Sequence, residues 1–225
     1  MSPSNELEPR NEDQPIVEWT TYDAHLHYTC AAIQDLRRTG LQGWNPIPTM
    51  ARTDPGELPL AEGPATPMYF QSAGDGSYST SGMFAFGSAS FVAGAFAVNA
   101  IANNAAKRRA QADLQRRWMP APPGVVMVSP TRALFWSPTE TYSLYWTGLD
   151  MVDLTGADTV MFRYKGAANG ADTVVQFQTL WAVLIFALAA HEAFPNHPRW
   201  RSGDWLPIGF EDRCEAAGYP RPDVR

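Results

Sequence analysis

The side chains best placed to do chemistry begin at Tyr22, where Asp23, His25 and His27 form a D-x-H-x-H run. At the end of a β-strand this spacing aims two imidazoles the same way, and they can ligate a metal that activates water. That chemistry needs a barrel of alternating strands and helices, with further His, Lys and Asp ligands on later strands. Beyond the run the chain supplies only His191 and His197. The surrounding pattern is also helical, and on a helix His25 and His27 point about 200° apart. The residues therefore predict two half-exposed helix histidines. A small metal-dependent hydrolase built on Asp23, His25 and His27 stands as the enzymatic alternative.

The other motifs are weaker still. His191-Glu192 opens like the zinc-binding H-E-x-x-H helix, but the second histidine position is Pro195. His191 is instead expected at a helix end, meeting the C-terminal carbonyls. Cys30 and Cys214 have no local signature of a Cys–His nucleophile pair. They read as two unpaired thiols in a reducing compartment, with a single disulfide between them as the open alternative. Gly74-Asp75-Gly76 lacks the lysine and the strand–helix setting of a phosphate loop. No catalytic residue, metal site or cofactor is assigned.

The elements that would position these residues fall into four stretches. Residues 1–19 form an acidic, flexible lead. Residues 20–118 are helical and Pro-rich, 119–194 are strand-rich with a closing helix, and 195–225 form a Trp/Pro-rich tail. A first helix starts at an N-cap among Thr20, Thr21 and Asp23 and stops at Gly40, with Leu26, Cys30, Ile33 and Leu36 as its apolar stripe. A Pro-rich wrap covers 41–63, a short strand 67–71 and a Gly/Ser turn 72–81.

Residues 82–106 carry no charge and end on Lys107, Arg108 and Arg109. A long Ala-rich helix is expected over 82–117, stopped by Pro120. Ala85, Ala89, Ala93 and Ala97 lie four apart and give it a smooth ridge for close packing. Its length, neutrality and basic end also suit a membrane helix. Asn99, Asn103 and Asn104 and the absence of leucine argue for packing on the Trp-rich domain instead. In a membrane setting, Lys107, Arg108, Arg109, Arg116 and Arg117 would form a strip facing anionic lipid.

After Pro120 the hydrophobic period changes. Six β-branched and aromatic runs (125–128, 133–136, 142–146, 151–154, 159–164 and 173–177) are separated by turn residues. Even spacing of short strands predicts a barrel or sandwich meander. Residues 181–193 are apolar nearly all round, which predicts a helix buried against that sheet. A short helix is expected over 211–217.

Strands followed by one apolar helix is the order of a pleckstrin-homology-like (GRAM-like) domain. Thr131, Arg132 and Leu134 resemble the Thr-x-Arg-Leu hairpin turn of such domains, with Ala133 inserted. Trp146, Leu149 and Val152 resemble the Trp-x-x-Leu-x-x-Val that enters the next strand. The resemblance covers 119–194. The remainder, with its His197-Pro198-Arg199-Trp200 and Trp205-Leu206-Pro207, is similar to actinobacterial proteins of the same layout and no assigned activity. The resemblance implies an α+β, PH-like antiparallel barrel or sandwich closed by its C-terminal helix. It also implies binding of lipids, peptides or proteins without enzymatic activity. Members that bind phosphoinositides use a basic strand-loop-strand pocket, for which this sequence offers Arg132, with Arg163 and Lys165 further on.

The chain has 225 residues, 45% of them hydrophobic, eight tryptophans and a formal charge of −6. That is a globular composition without the electrostatic footprint of a general nucleic-acid binder. The first twenty residues hold no apolar signal core, so a cytoplasmic location is expected, with inner-membrane association under the membrane-helix alternative. The leading expectation is a non-enzymatic adaptor for an unknown protein partner. Its contact surface would come from Trp44, Trp118, Trp200 and Trp205. The alternative of another class is a membrane component held by helix 82–106.

Overall fold

Helix α1 (Thr21–Thr39) begins and ends on the residues expected of it. Thr20 and Asp23 close a capping box: the Thr20 hydroxyl accepts from the Asp23 N–H at 3.1 Å, and the Asp23 carboxylate accepts from the Thr20 N–H at 2.8 Å. Gly40 takes the left-handed conformation at φ 66° and donates its N–H to Leu36 O at 3.0 Å. Leu26, Cys30 and Ile33 are buried, as the stripe predicts. The computed structural model describes residues 18–71, 115–165 and 172–224. The acidic lead up to residue 17, the turn 72–81, the Ala-rich segment as far as 114 and Lys107, Arg108 and Arg109 lie outside the described residues.

Eight strands follow: β1 (Ala61–Gln71), β2 (Arg117–Pro120), β3 (Gly124–Val128), β4 (Arg132–Trp136), β5 (Thr141–Tyr145), β6 (Met151–Gly156), β7 (Thr159–Lys165) and β8 (Asp172–Gln178). They form one antiparallel sheet in the order β5-β4-β3-β1-β8-β7-β6, with β2 paired to β1. The fold is α+β, with this sheet curled into a half-barrel. The six expected runs match β3 to β8 closely, and Trp146 falls in a short 3-10 turn (Trp146–Gly148).

Two departures carry physical reasons. The strand expected over 67–71 is β1, eleven residues long, running through Pro64 and Pro67. Over 61–65 it pairs only with β3, and at 66–67 only with β8. Both prolines therefore sit where one side of the strand needs no ladder bond. The second departure is at the end of the expected Ala-rich helix. Residues 115–116 are not helical and Arg117–Pro120 is strand, because Arg117, Trp118 and Met119 find β-partners in Gln71, Phe70 and Tyr69. The central strand β1 thus comes from the stretch read as helical and Pro-rich, and β2 straddles residues 118 and 119.

Close approach places glycine at two points. A Cβ at Gly124 would lie 2.2 Å from Trp136 O, and one at Gly63 would lie 2.8 Å from Trp181 Nε1. Helix α2 (Ala182–Ala193) is buried along residues 182–190 and packs on β6, β7, the 3-10 turn and α1. Phe135, Phe162 and Phe177 form the aromatic core of the sheet, with ring centroids 5.5–5.6 Å apart. Two short helices, α3 (Pro198–Ser202) and α4 (Phe210–Ala216), complete the chain. Among the described residues no helix is long and apolar enough to cross a membrane.

Candidate functional site

The D-x-H-x-H run is dispersed by its helix. Asp23 is buried and spent on the capping box and on Arg213, whose Nη2 lies 2.7 Å away. Burial works to raise its carboxyl, but hydrogen bonds from Arg213 and Thr20 outweigh this and hold it below the usual value. The His25 ring packs on Trp181 at 4.2 Å, with Nδ1 2.7 Å from Thr21 O. His27 packs on Tyr219 at 4.7 Å and edge-on to Trp19 at 6.1 Å. The two imidazoles serve different neighbours. Among the described residues no three His, Cys, Asp or Glu side chains gather as metal ligands.

Cys30 and Cys214 are both buried, and no disulfide joins them. Burial, then Glu211 and Asp23, push the Cys214 thiol up, away from the reactive thiolate. His191 faces the Trp200 ring edge-on at 6.0 Å rather than capping carbonyls, and Arg37 lies over the same ring at 4.6 Å. His197 packs against Phe186 at 5.1 Å.

The expected aromatic surface is corrected in part. Trp205 is only 2% exposed and stacks under Trp200, because the tail folds back onto α1 and α2 instead of lying on the outside. Trp44 and Trp200 are half-buried against the core. Trp118 is half-buried on β2 against Phe70, ring centroids 5.3 Å apart, and Phe70 itself is 41% exposed. This pair stands where Gln71 and Arg117 face each other in the β1–β2 register. The chain enters and leaves residues 72–116 side by side at that point. Arg116 and Arg117, the described members of the basic strip, are exposed there.

Arg132, the cation that a headgroup pocket would need, is turned inward. Its side chain is 6% exposed and pairs with Glu57, 3% exposed, through Nη2–Oε2 at 2.6 Å and Nε–Oε1 at 2.8 Å. Nη1 donates to Ser143 Oγ and Tyr145 OH, each at 3.0 Å, and Nη2 also donates to Arg52 O at 3.2 Å. All five guanidinium N–H bonds are thereby committed. Burial works to raise the Glu57 carboxyl, but Arg132, the Asp54 N–H and Ser129 outweigh it and hold it below its usual range. Arg163 and Lys165 are exposed on β7, on the side opposite its buried Val160 and Phe162.

One cluster has no counterpart in the sequence reading. At the end of the half-barrel where β1, β2 and the β4–β5 turn meet, a concavity of 540 Å³ is lined by Tyr69, Gln71, Pro120, Pro122, Thr139 and Glu140, with Ala121 between the prolines. Tyr69 OH donates to Glu140 Oε2 at 3.3 Å and lies 3.0 Å from Tyr142 OH. Burial, with Glu140 close by, pushes the Tyr69 phenol up to about 12. Burial first, then the hydrogen bond with Tyr69, also raises the Tyr142 phenol, and burial with the Glu140 charge raises that of Tyr164. The other Glu140 oxygen, Oε1, is buried with no hydrogen-bond partner. A Ser-Pro-Thr-Glu turn reads as solvated surface, so nothing in the sequence signals this cluster. No protein-family model matches the chain, and no curated protein matches it in sequence.

Proposed function

We propose that the chain is a non-enzymatic interaction module with a PH-like half, which meets a protein partner at the end of its sheet where Phe70 and Trp118 stand. Support for the PH-like half comes from the order of its parts: a run of antiparallel strands in a curled sheet, then one apolar helix packed on it. Support for a binding role comes from where the reactive groups are spent. Asp23 caps α1 and Arg132 is saturated by Glu57 and its neighbours. The observation that carries the reading is the Gln71–Arg117 pairing, which fixes both ends of the intervening chain side by side beneath the Phe70–Trp118 pair.

The same geometry favours a second reading, in which 82–106 anchors the protein in a membrane. A half-exposed aromatic pair beside Arg116 and Arg117 is the composition found at a lipid–water boundary.

Fractionation of cells expressing the full chain and a variant lacking 82–106 separates the two. An adaptor is released by a carbonate wash, and a photo-crosslinker at Phe70 captures one partner. An anchored protein stays in the washed pellet and becomes soluble on deletion. Stoichiometric divalent metal that survives gel filtration and disappears in His25→Ala would sink both readings in favour of a metal-dependent hydrolase.

A further inference from the structure

The Glu140 cluster is a carboxylate without a cation. Its Oε2 accepts from Tyr69, its Oε1 is buried without a partner, and no described basic side chain forms an ion pair with it. Tyr142 sits beside Tyr69, and its hydroxyl oxygen accepts from the same Tyr69 O–H at 3.0 Å. The single Tyr69 hydroxyl proton lies between Tyr142 OH at 3.0 Å and Glu140 Oε2 at 3.3 Å, so Glu140 receives one shared hydrogen bond at Oε2 and none at Oε1. The wall beside it offers few donors. Pro120 and Pro122 have no N–H, and the Ala121 N–H is already given to Pro67 O at 2.8 Å. Among the described residues, Glu140 is the sole charged one lining the 540 Å³ concavity.

An orphaned carboxylate oxygen costs free energy unless a ligand brings the donors the wall lacks. We infer that this concavity binds an organic cation bearing N–H groups, a primary ammonium or guanidinium whose alkyl stem packs on Pro120, Pro122 and the Tyr69 ring. Glu140 is partly exposed, so rotation about its own side-chain bonds brings Oε1 to the open space. The inference deepens the interaction-module reading, on which it rests for the absence of a reaction. It holds whether or not 82–106 enters a membrane.

The test is NMR titration of the full chain with n-butylammonium and ethylguanidinium, using tetramethylammonium, which has no N–H, and butyrate as comparators. Saturable shifts at Gln71, Thr139 and Glu140 are expected, with Kd on the order of 1–10 mM. Glu140→Gln keeps the shape and an acceptor for Tyr69 but removes the charge, and should weaken binding by about ten- to a hundredfold. A short Lys- or Arg-containing peptide binding far more tightly than the free cations assigns the source to a protein side chain. Equal affinity assigns it to a small amine. Absence of saturation by about 100 mM, unchanged affinity in Glu140→Gln, or equal binding of tetramethylammonium by the wild type would each overturn the proposal. The last comparison needs no variant, so it decides even if Glu140→Gln fails to fold. A negative titration leaves the fractionation result standing, so the two readings fail separately.

Discussion

Replacing Arg132 by Met should be among the most damaging single changes in the described fold. The side chain keeps its length, but Glu57, 3% exposed, is left as a buried carboxylate without a cation. Breaking a buried pair in this way costs about 3–5 kcal/mol. Glu57 retains two donors, Ser129 Oγ at 2.8 Å and the Asp54 N–H at 2.7 Å, which places the expected loss near the lower limit, about 3 kcal/mol. Asp54, whose carboxylate is 3.7 Å from the guanidinium, loses a weaker contact. For a chain of this size that is a fall in Tm of about 6–12 °C. The double variant Arg132→Met with Glu57→Met removes both charges and should recover most of the loss, because an apolar pair of similar volume is often as stable as a buried ion pair. Urea unfolding of wild type, both singles and the double closes the cycle. A cost below about 1 kcal/mol for Arg132→Met, or additive singles, would refute the claim that the pair is buried and coupled.

Gly124→Ala should destabilise more than Gly63→Ala. The first Cβ meets a backbone oxygen, whereas the second meets the Trp181 indole, which can shift at the expense of its bond to Glu62 O, so thermal unfolding should show a loss of about 1–3 kcal/mol at Gly63 and a larger one at Gly124. Burial, then Arg37, hold His191 below its ordinary value against the opposing Glu192. A depressed folded value means that its stabilisation is complete above the unfolded value near 6.5 and is lost as the pH falls below it. His191→Gln should flatten the stability profile there, and an unchanged slope would count against its half-buried position beside Arg37. Trp205→Ala should cost about 3–5 kcal/mol, whereas Trp118→Ala should cost clearly less and act on membrane or partner association instead. Equal losses would mean that both are core.

Much of the fold was legible because its signals are local. Thr20, Asp23 and Gly40 sit within a turn of the ends they define, and the strands from β3 onward announce themselves by β-branched and aromatic runs between turn residues. Helix α2 was legible because a segment apolar on every side has only one stable environment, the interior. The site was far less legible. Glu57 and Arg132 are 75 residues apart, and Tyr69 and Glu140 are 71 apart, so no spacing rule links them. A lone arginine in a hairpin reads as exposed until its buried partner is known.

The sequence by itself therefore determined where α1, α2 and most strands begin and end, and that His25 and His27 diverge, since helical geometry alone separates them. Only the tertiary structure decided that a Pro-bearing stretch is the central strand β1, because partners on either side, and not propensity, settle which N–H groups are needed. It also decided that Trp205 is core, that Arg132 is spent on Glu57, and that Glu140 is left with an oxygen unpaired. Burial and pairing are properties of the assembled surface, and a residue's type limits them without choosing among them.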